Sequence, residues 1–588
     1  MDRIFERAAQ WGIETQHYDG LGRHRTVEPA VIARILDTIG ANDETLKPPA
    51  TPIPDHLRAY QGHDTLPKRS WGIAVQLYSI RSRRNWGHGD FTDLANLIDI
   101  AATLGAAAIG LNPLHALFDD RADASPYFPS SRLFLNPLYI DVEAIPEFPP
   151  ASMADLRASI NELRARDIVD YAGVATVKSR AFALAFEAFR NHGTDERHRQ
   201  FEEFRRRRGP LLEAFATFEV LRRRCEGPWQ DWPAELRQPG QTLLDDLRAA
   251  DEDQVAYFAF LQWIADEQLA ACRDKAQRLG LPIGLYLDLA VGVRADGFDA
   301  WSNQRFILPS LEIGAPPDKL NTQGQAWGLA GINPVSLTDS GCEPFREVLR
   351  ESMQYAGAVR IDHILGLKRF YLIPRGVRAD RGAYVLFPFD ALLAAAAQES
   401  LAHRCIVIGE DLGTVPPGFQ DTLAHWGIWS FQVMLFQRAA DGGFIAPDLY
   451  LENALVTFTT HDLPTFAGWI LGHDLTVKRS LDIDPGESDD DRAWAKDAIA
   501  RTMAGHGCPT VDFLSVNRFL AQTPSRLLMV NLEDALGEVD QVNVPGTTDQ
   551  HPNWRRRVPV LLEELLDKSM LAAVATVMDA SGRRSGPR

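Results

Sequence analysis

The chain has 588 residues, of which 45% are hydrophobic and 24% charged, and carries a formal net charge of −18. That composition excludes a mostly disordered chain, and the length allows one large elaborated domain or two to four smaller ones, with a sizeable core. The negative balance disfavours general affinity for nucleic acid or anionic membrane, and no stretch reaches the ~18 apolar residues of a membrane span.

The opening MDRIFERAAQWGIE lacks an apolar core of signal-peptide length, which makes the cytoplasm the expected location. Residues 1–40 predict a small helical region, with Val31, Ile32, Ile35, Leu36 and Ile39 on one face up to Gly40. Pro48, Pro49, Pro52 and Pro54 predict a linker over 41–69. From Trp71 one theme repeats: a short apolar run, polar residues at its end, then a helical pattern. The runs begin at Trp71, Ala106, Leu281, Gly357, Cys405, Phe431, Leu455 and Leu527. A long insertion, about 112–250, separates the second from the third; it holds a Pro- and aromatic-rich loop followed by helices dense in Arg and Glu. After it, Phe258, Leu261, Ala265, Leu269 and Cys272 share the face of a barrel helix. The closing SGRRSGPR predicts a disordered tail over 579–588. Five scattered cysteines, Cys225, Cys272, Cys342, Cys405 and Cys508, form no CxxC pair and suit a reducing compartment.

Eight such runs alternating with helices predict an α/β fold, a (β/α)8 TIM barrel over 70–578. A doubly wound sheet is the competing arrangement. In a barrel, parallel strands bury both faces and functional residues gather at their C-terminal ends.

Three acids stand at such ends: Asp362 in VRIDH, Glu410 in VIGED and Asp462 in TTHD. Retaining glycoside chemistry needs one ionised carboxylate as nucleophile and one protonated acid roughly 5–5.5 Å away. Arg360 and Asp362 share a strand face, so the guanidinium is expected to keep Asp362 charged. Glu410 follows Ile406 and Ile408 on its own face, with Gly409 and no nearby cation, so desolvation is expected to raise its pKa, as a general acid requires. Asp411 is one residue out of phase and is expected to face away from the lumen. Singly, each has a plain structural reading, a salt bridge or a loop hydrogen bond; their joint occurrence favours chemistry.

The chain resembles the amylomaltases, 4-alpha-glucanotransferases of glycoside hydrolase family 77 in the alpha-amylase clan. The likeness runs from about Trp71 to Arg557 through nine ordered motifs: QLYSIRSRRNWGHGDF, IGLNPLHAL, SPYFPSSRLFLNPLYID, LPIGLYLDLAVGV, GAPPDKLNTQGQAWG, VRIDHILG, VIGEDLGTVPP, TTHDLPTFAGW and VNVPGT with NWRRR. The resemblance implies Asp362 as nucleophile, Glu410 as acid/base, and Asp462 as the acid that binds hydroxyls of the −1 sugar. It implies that Arg360 contacts the nucleophile and His461 the sugar, and that Asp288 occupies the position of a motif acid. Trp327 is placed in a lid loop at about 314–331, and Tyr127 in SPYFPS is a sugar-stacking candidate, or else an anchor of its Pro-rich loop. Longer bacterial members carry a β-rich N-terminal module that is not expected here, nor is a C-terminal β-domain of the amylase kind.

The implied reaction takes an α-1,4-glucan or maltooligosaccharide as donor and glucose or another glucan as acceptor. It calls for no cofactor and no metal. Two alternatives stand beside it: a hydrolase of the amylase clan using the same acids, and a catalytically silent glucan-binding protein. A debranching enzyme would need a second glucosidase site, which the motifs do not supply.

Overall fold

Eight apolar runs pair in parallel and close on themselves in the computed structural model, which describes residues 2–41, 56–63, 65–119, 124–317, 322–413 and 415–585. They are β1 (Ser70–Val75), β2 (Ala108–Leu111), β3 (Gly284–Leu289), β4 (Ala358–Ile361), β5 (Ile406–Gly409), β6 (Trp429–Val433), β7 (Ala454–Thr457) and β8 (Leu527–Asn531). The barrel shuts where β8 pairs with β1, from Leu527↔Ser70 to Asn531↔Ala74. It is therefore a (β/α)8 barrel and not an open doubly wound sheet. Its strands are too short and too apolar to alternate, as expected where both faces are covered.

The lumen is filled unevenly. Gly72 and Gly110 give up their side-chain space to neighbours: a Cβ on Gly110 would lie 2.8 Å from Tyr286 Cδ1, and one on Gly72 would lie 2.7 Å from Met529 Sδ. Large residues from β3 and β8 thus interdigitate with absent ones on β1 and β2. Outside, the helix Glu252–Arg278 buries Phe258, Leu261, Ala265, Leu269 and Cys272 as its periodicity predicts. The helix Phe91–Leu104 starts at a capping box between Asp90 and Asp93 and stops at Gly105, whose φ of 71° suits a residue without Cβ.

Four expectations change. The stretch about 314–331 is a loop only in part: Ile307–Ala315 and Gln325–Ile332 are strands of a four-stranded antiparallel sheet completed by Arg369–Pro374 and Ala383–Leu386, and of the connection between the first two, 318–321 lie outside the described residues. Two barrel loops, after β3 and after β4, pool their hydrogen bonds in it, a pairing invisible to local pattern. The N-terminal region is not purely helical, since Gln16–Tyr18 pairs with His24–Thr26. It docks on the edge of that sheet through Glu14–Arg369 at 2.9 Å and the Ile13↔Val385 bridge. Within 41–69, residues 42–55 and 64 lie outside the described residues, but Gln61 is packed on the barrel, accepting from Trp429 Nε1 at 3.1 Å and from Arg526 at 2.7 Å.

The tail 579–588 is ordered as far as Ser585. The helix Leu571–Ala580 leads to a fully buried Arg583, which donates to the carbonyls of Ser70, Ala521, Thr523 and Ser525. A low-complexity reading sees the charge and the glycines and misses the carbonyls that satisfy the guanidinium. Residues 586–588 lie outside the described residues. Among those described, no helix is long and apolar enough to cross a membrane.

Candidate active site

Every residue singled out in the sequence comes to the C-terminal rim of the barrel. Arg360 and Asp288 are partners in the β3–β4 ladder, with side chains on one face. Arg360 Nη1 lies 2.8 Å from both oxygens of Asp288, and Nη2 lies 2.9 Å from Asp362 Oδ1. The guanidinium also sits over the Phe431 ring from β6, 5.4 Å from its centroid. One cation thus spans two carboxylates, and the planar fork fixes where Asp362 points.

Asp362 is the first residue past β4, and His363 turns the chain sharply, with φ 46° and ψ 57°. A non-glycine residue in this left-handed region is strained, and the turn has a use: the His363 backbone N–H donates to Glu410 Oε2 at 2.9 Å. Leu412 N–H donates to the other oxygen at 2.8 Å, so the Glu410 carboxyl is held at both ends. Trp554, beside Tyr127 and His461, is a second left-handed residue. Asp411 faces away as expected. It accepts from Ser430 Oγ at 2.7 Å, Gln420 at 2.8 Å and Phe431 N–H at 3.1 Å, which makes it a clip between β5 and β6.

His461 and Asp462 stand on the loop after β7, bonded to each other at 3.3 Å. Asn543 Nδ2 donates to Asp462 Oδ1 at 2.6 Å. The Asp462 side chain keeps 46% of its exposure against 19% for Asp362, so of this pair it is the one more open to a ligand's hydroxyls. Tyr127 donates from its hydroxyl to Asp288 and lies 3.3 Å from His461 Nδ1, with the two rings stacked at 4.8 Å. Trp554 closes the cluster, 5.2 Å from Tyr127 and 5.3 Å from His461. Trp327 lies on the strand Gln325–Ile332, its ring set edgewise to His363 at 5.2 Å.

The electrostatics differ from the expectation for Asp362. Burial pushes its carboxyl up to about 6, and the charges of Asp288 and Glu410 reinforce this, while Arg360 only partly offsets it. A sequence shows the neighbour two residues away and hides both the desolvation and the other acids. Glu410 is raised by burial as expected, but it is not remote from a cation: Arg360 and the two backbone N–H groups pull it the other way. Burial opposes both charges of the His461–Asp462 pair, yet their attraction prevails, raising His461 and lowering Asp462. Asn543 and Trp554 had no assigned role, although VNVPGT and NWRRR stood out as motifs.

Arg360→Met should be costly because it leaves two buried carboxylates without their cation, by about 3–5 kcal/mol on the scale of such losses. Denaturant unfolding at pH 8 should show the full penalty and at pH 5 a smaller one, since protonation then relieves the unpaired acids. An equal loss at both pH values would contradict the bridging role.

Comparison with known proteins gives a consistent answer. The model of a family described as 4-alpha-glucanotransferase matches residues 75–563. A 4-alpha-glucanotransferase of Mycobacterium tuberculosis is 37% identical over 553 residues, covering 87% of this chain and 75% of that protein. One of Haemophilus influenzae is 36% identical over 534 residues, covering 84% and 76%. The crystal structure of amylomaltase from Corynebacterium glutamicum superposes with a TM-score of 0.85 at 28% identity, covering 98% of this chain and 100% of that one. An amylomaltase from Streptococcus agalactiae in complex with acarbose, at 19% identity and a TM-score of 0.70, covers 88% of this chain and 100% of that one and shares the fold.

Proposed function

The chain belongs to glycoside hydrolase family 77 and is a 4-alpha-glucanotransferase, and from that premise we propose that it transfers segments of α-1,4-glucan by a double displacement centred on Asp362, Glu410 and Asp462. The observation that carries the reading is the His363 N–H bond to Glu410: a single peptide turn joins the residue after the nucleophile to the acid.

In the first step an Asp362 oxygen attacks the anomeric carbon as its bond to the bridging oxygen breaks. Glu410 gives its proton to that oxygen, so the departing glucan leaves with a free 4-hydroxyl and the retained segment is β-linked to Asp362. In the second step the ionised Glu410 takes a proton from the 4-hydroxyl of glucose or another glucan. That oxygen attacks the same carbon, Asp362 is released, and the second inversion restores the α configuration. Arg360 aims Asp362, while Asp462 and His461 hold ring hydroxyls. Tyr127 works through its hydroxyl, which holds Asp288, while one face of its ring is taken by His461. Trp327 offers an apolar ring beside His363 for a sugar face. The insertion at 112–250 and the antiparallel sheet cover the rim and limit attack by water.

Incubation with maltotriose alone tests this. Oligosaccharides longer than the donor should accumulate beside glucose; glucose and maltose without longer products would replace transfer by hydrolysis.

A further inference from the structure

Leu289 and Ile361 are partners in the β3–β4 ladder, one residue beyond Asp288 and Arg360, so they face away from the lumen that the acid and the cation share. Behind them lies a cavity, closed on its other sides by the antiparallel sheet and by the helices Pro334–Asp339, Glu343–Met353 and Phe389–His403. Its walls are apolar, with Phe306, Ile332, Phe345 and Phe370 among them. With the solvent at its mouth counted it holds about 650 Å³, enough for a ligand of one ring. The catalytic turn is part of the lining, since Asp362, His363 and Gly366 border the cavity from behind.

One guanidinium interrupts these walls. Arg132 is half-buried; its Nη1 donates to the carbonyls of Ala290 at 3.2 Å and Val291 at 3.1 Å, while its Nε is buried without a partner. Among the described residues no carboxylate forms an ion pair with it. Asp299, whose charge it feels, accepts instead from Ser131 Oγ and from the Arg132 backbone N–H. Arg132 also borders a neighbouring cavity, but the acids there are already engaged, Asp266 by Arg207 and Tyr355, Glu351 by Arg208. A partly desolvated cation without a counter-ion is a cost to the protein, and an anion brought to it would make a strong, charge-assisted bond.

We propose that this cavity binds a small carboxylic acid with an apolar body, its carboxylate on Arg132 and its body among Phe306, Phe345 and Phe370, and that occupancy raises the rate of transfer through the turn at His363. Apolar walls select the body, and the one unanswered cation selects the charge. The link to the turn is steric. His363 holds a left-handed conformation that persists only as far as its surround fixes it, and its ring is flanked by Trp327 at 5.2 Å and by Phe370 at 6.3 Å. A body packed against Phe370 adds to that support, and the same turn holds the Glu410 carboxyl.

The test titrates the full-length protein with phenylpropionate, with phenylpropanol, which keeps the body without the charge, and with acetate, which keeps the charge without the body. By calorimetry one phenylpropionate per chain should bind with a Kd below about 1 mM. The alcohol should bind at least ~10-fold more weakly, and acetate not measurably. The acid should raise the melting temperature increasingly with its concentration, and raise kcat on maltotriose by about twofold or more with KM unchanged. Arg132→Met should bring the acid down to the affinity of the alcohol. Leu337→Phe, which puts a ring into the cavity and leaves the cation in place, should weaken acid and alcohol alike by ~10-fold or more, so the answer does not hang on one variant folding. Equal affinity for acid and alcohol in the wild type, or full affinity for the acid in either variant, would overturn the site. Competition between the acid and maltotriose would place the acid in the catalytic cleft and overturn it as well, and binding that leaves kcat unmoved would overturn the link to the turn. A wild type that binds the acid but builds no longer chain from maltotriose would overturn the transfer reading and leave the binding site standing.

Discussion

Asp362→Asn is expected to lower transfer from maltotriose by about 10³-fold or more and, in the same molecule, to raise the melting temperature at pH 8. The first effect follows from the role proposed for Asp362 as nucleophile. The second follows from burial: the native carboxyl titrates at about 6 against an ordinary value of 3.8. A raised acid costs nothing below the unfolded value, where both states are protonated, and its penalty grows as pH rises through the native one. By pH 8 the penalty is fully present, up to about 3 kcal/mol, with the pull of Arg360 already included. Asparagine removes it at pH 8 and gains little at pH 4.5, where native Asp362 is mostly neutral. Calorimetry of both proteins at the two pH values measures the difference; a variant less stable at pH 8 would contradict it. The same protonation sets the acid limb of kcat/KM in the wild type, which should fall below about pH 6.

Glu410→Gln should cut maltotriose transfer by about 10³–10⁴-fold while fluoride release from α-maltosyl fluoride falls far less. Fluoride departs without a proton, so only the second step still needs the base. The maltosyl-enzyme should then accumulate and show as a burst of fluoride followed by a slow phase. Similar losses on both donors would mean that Glu410 positions the site without transferring the proton.

Much of this was legible in the sequence because the signal lies in short, local units. Each barrel strand is an apolar run with its functional residue at the end, so Asp362, Glu410 and Asp462 could be placed on one rim once the runs were counted. What stayed hidden is what depends on distant partners. Arg360 pairs with Asp362 two residues away, which the pattern gives, and with Asp288 across the ladder, which it does not. Trp327 looked like part of a loop because its strand pairs with Ile307–Ala315, which finds its other neighbour, Arg369–Pro374, in another barrel loop. The sign of the Asp362 shift was missed for the same reason, as desolvation is a property of the whole surround. Arg583 shows the converse: a residue in a polar, Gly-containing terminus becomes one of the most deeply buried because four carbonyls converge on it.

That last contact bears on the order in which the chain comes together. Arg583 grips the Ser70 carbonyl at the start of β1 across 513 residues of sequence, beside the β8–β1 pairing that shuts the barrel. On a ribosome adding ~5–20 residues per second, β1 waits roughly 25–100 s with one edge unpaired before its partner and this latch emerge. An open strand edge is a template for pairing with another chain. The C-terminal turn thus ends the interval in which a nascent molecule can be captured by its neighbours, and damage to it would appear first as a lower yield of folded protein, before any change in the chemistry at the opposite end of the barrel.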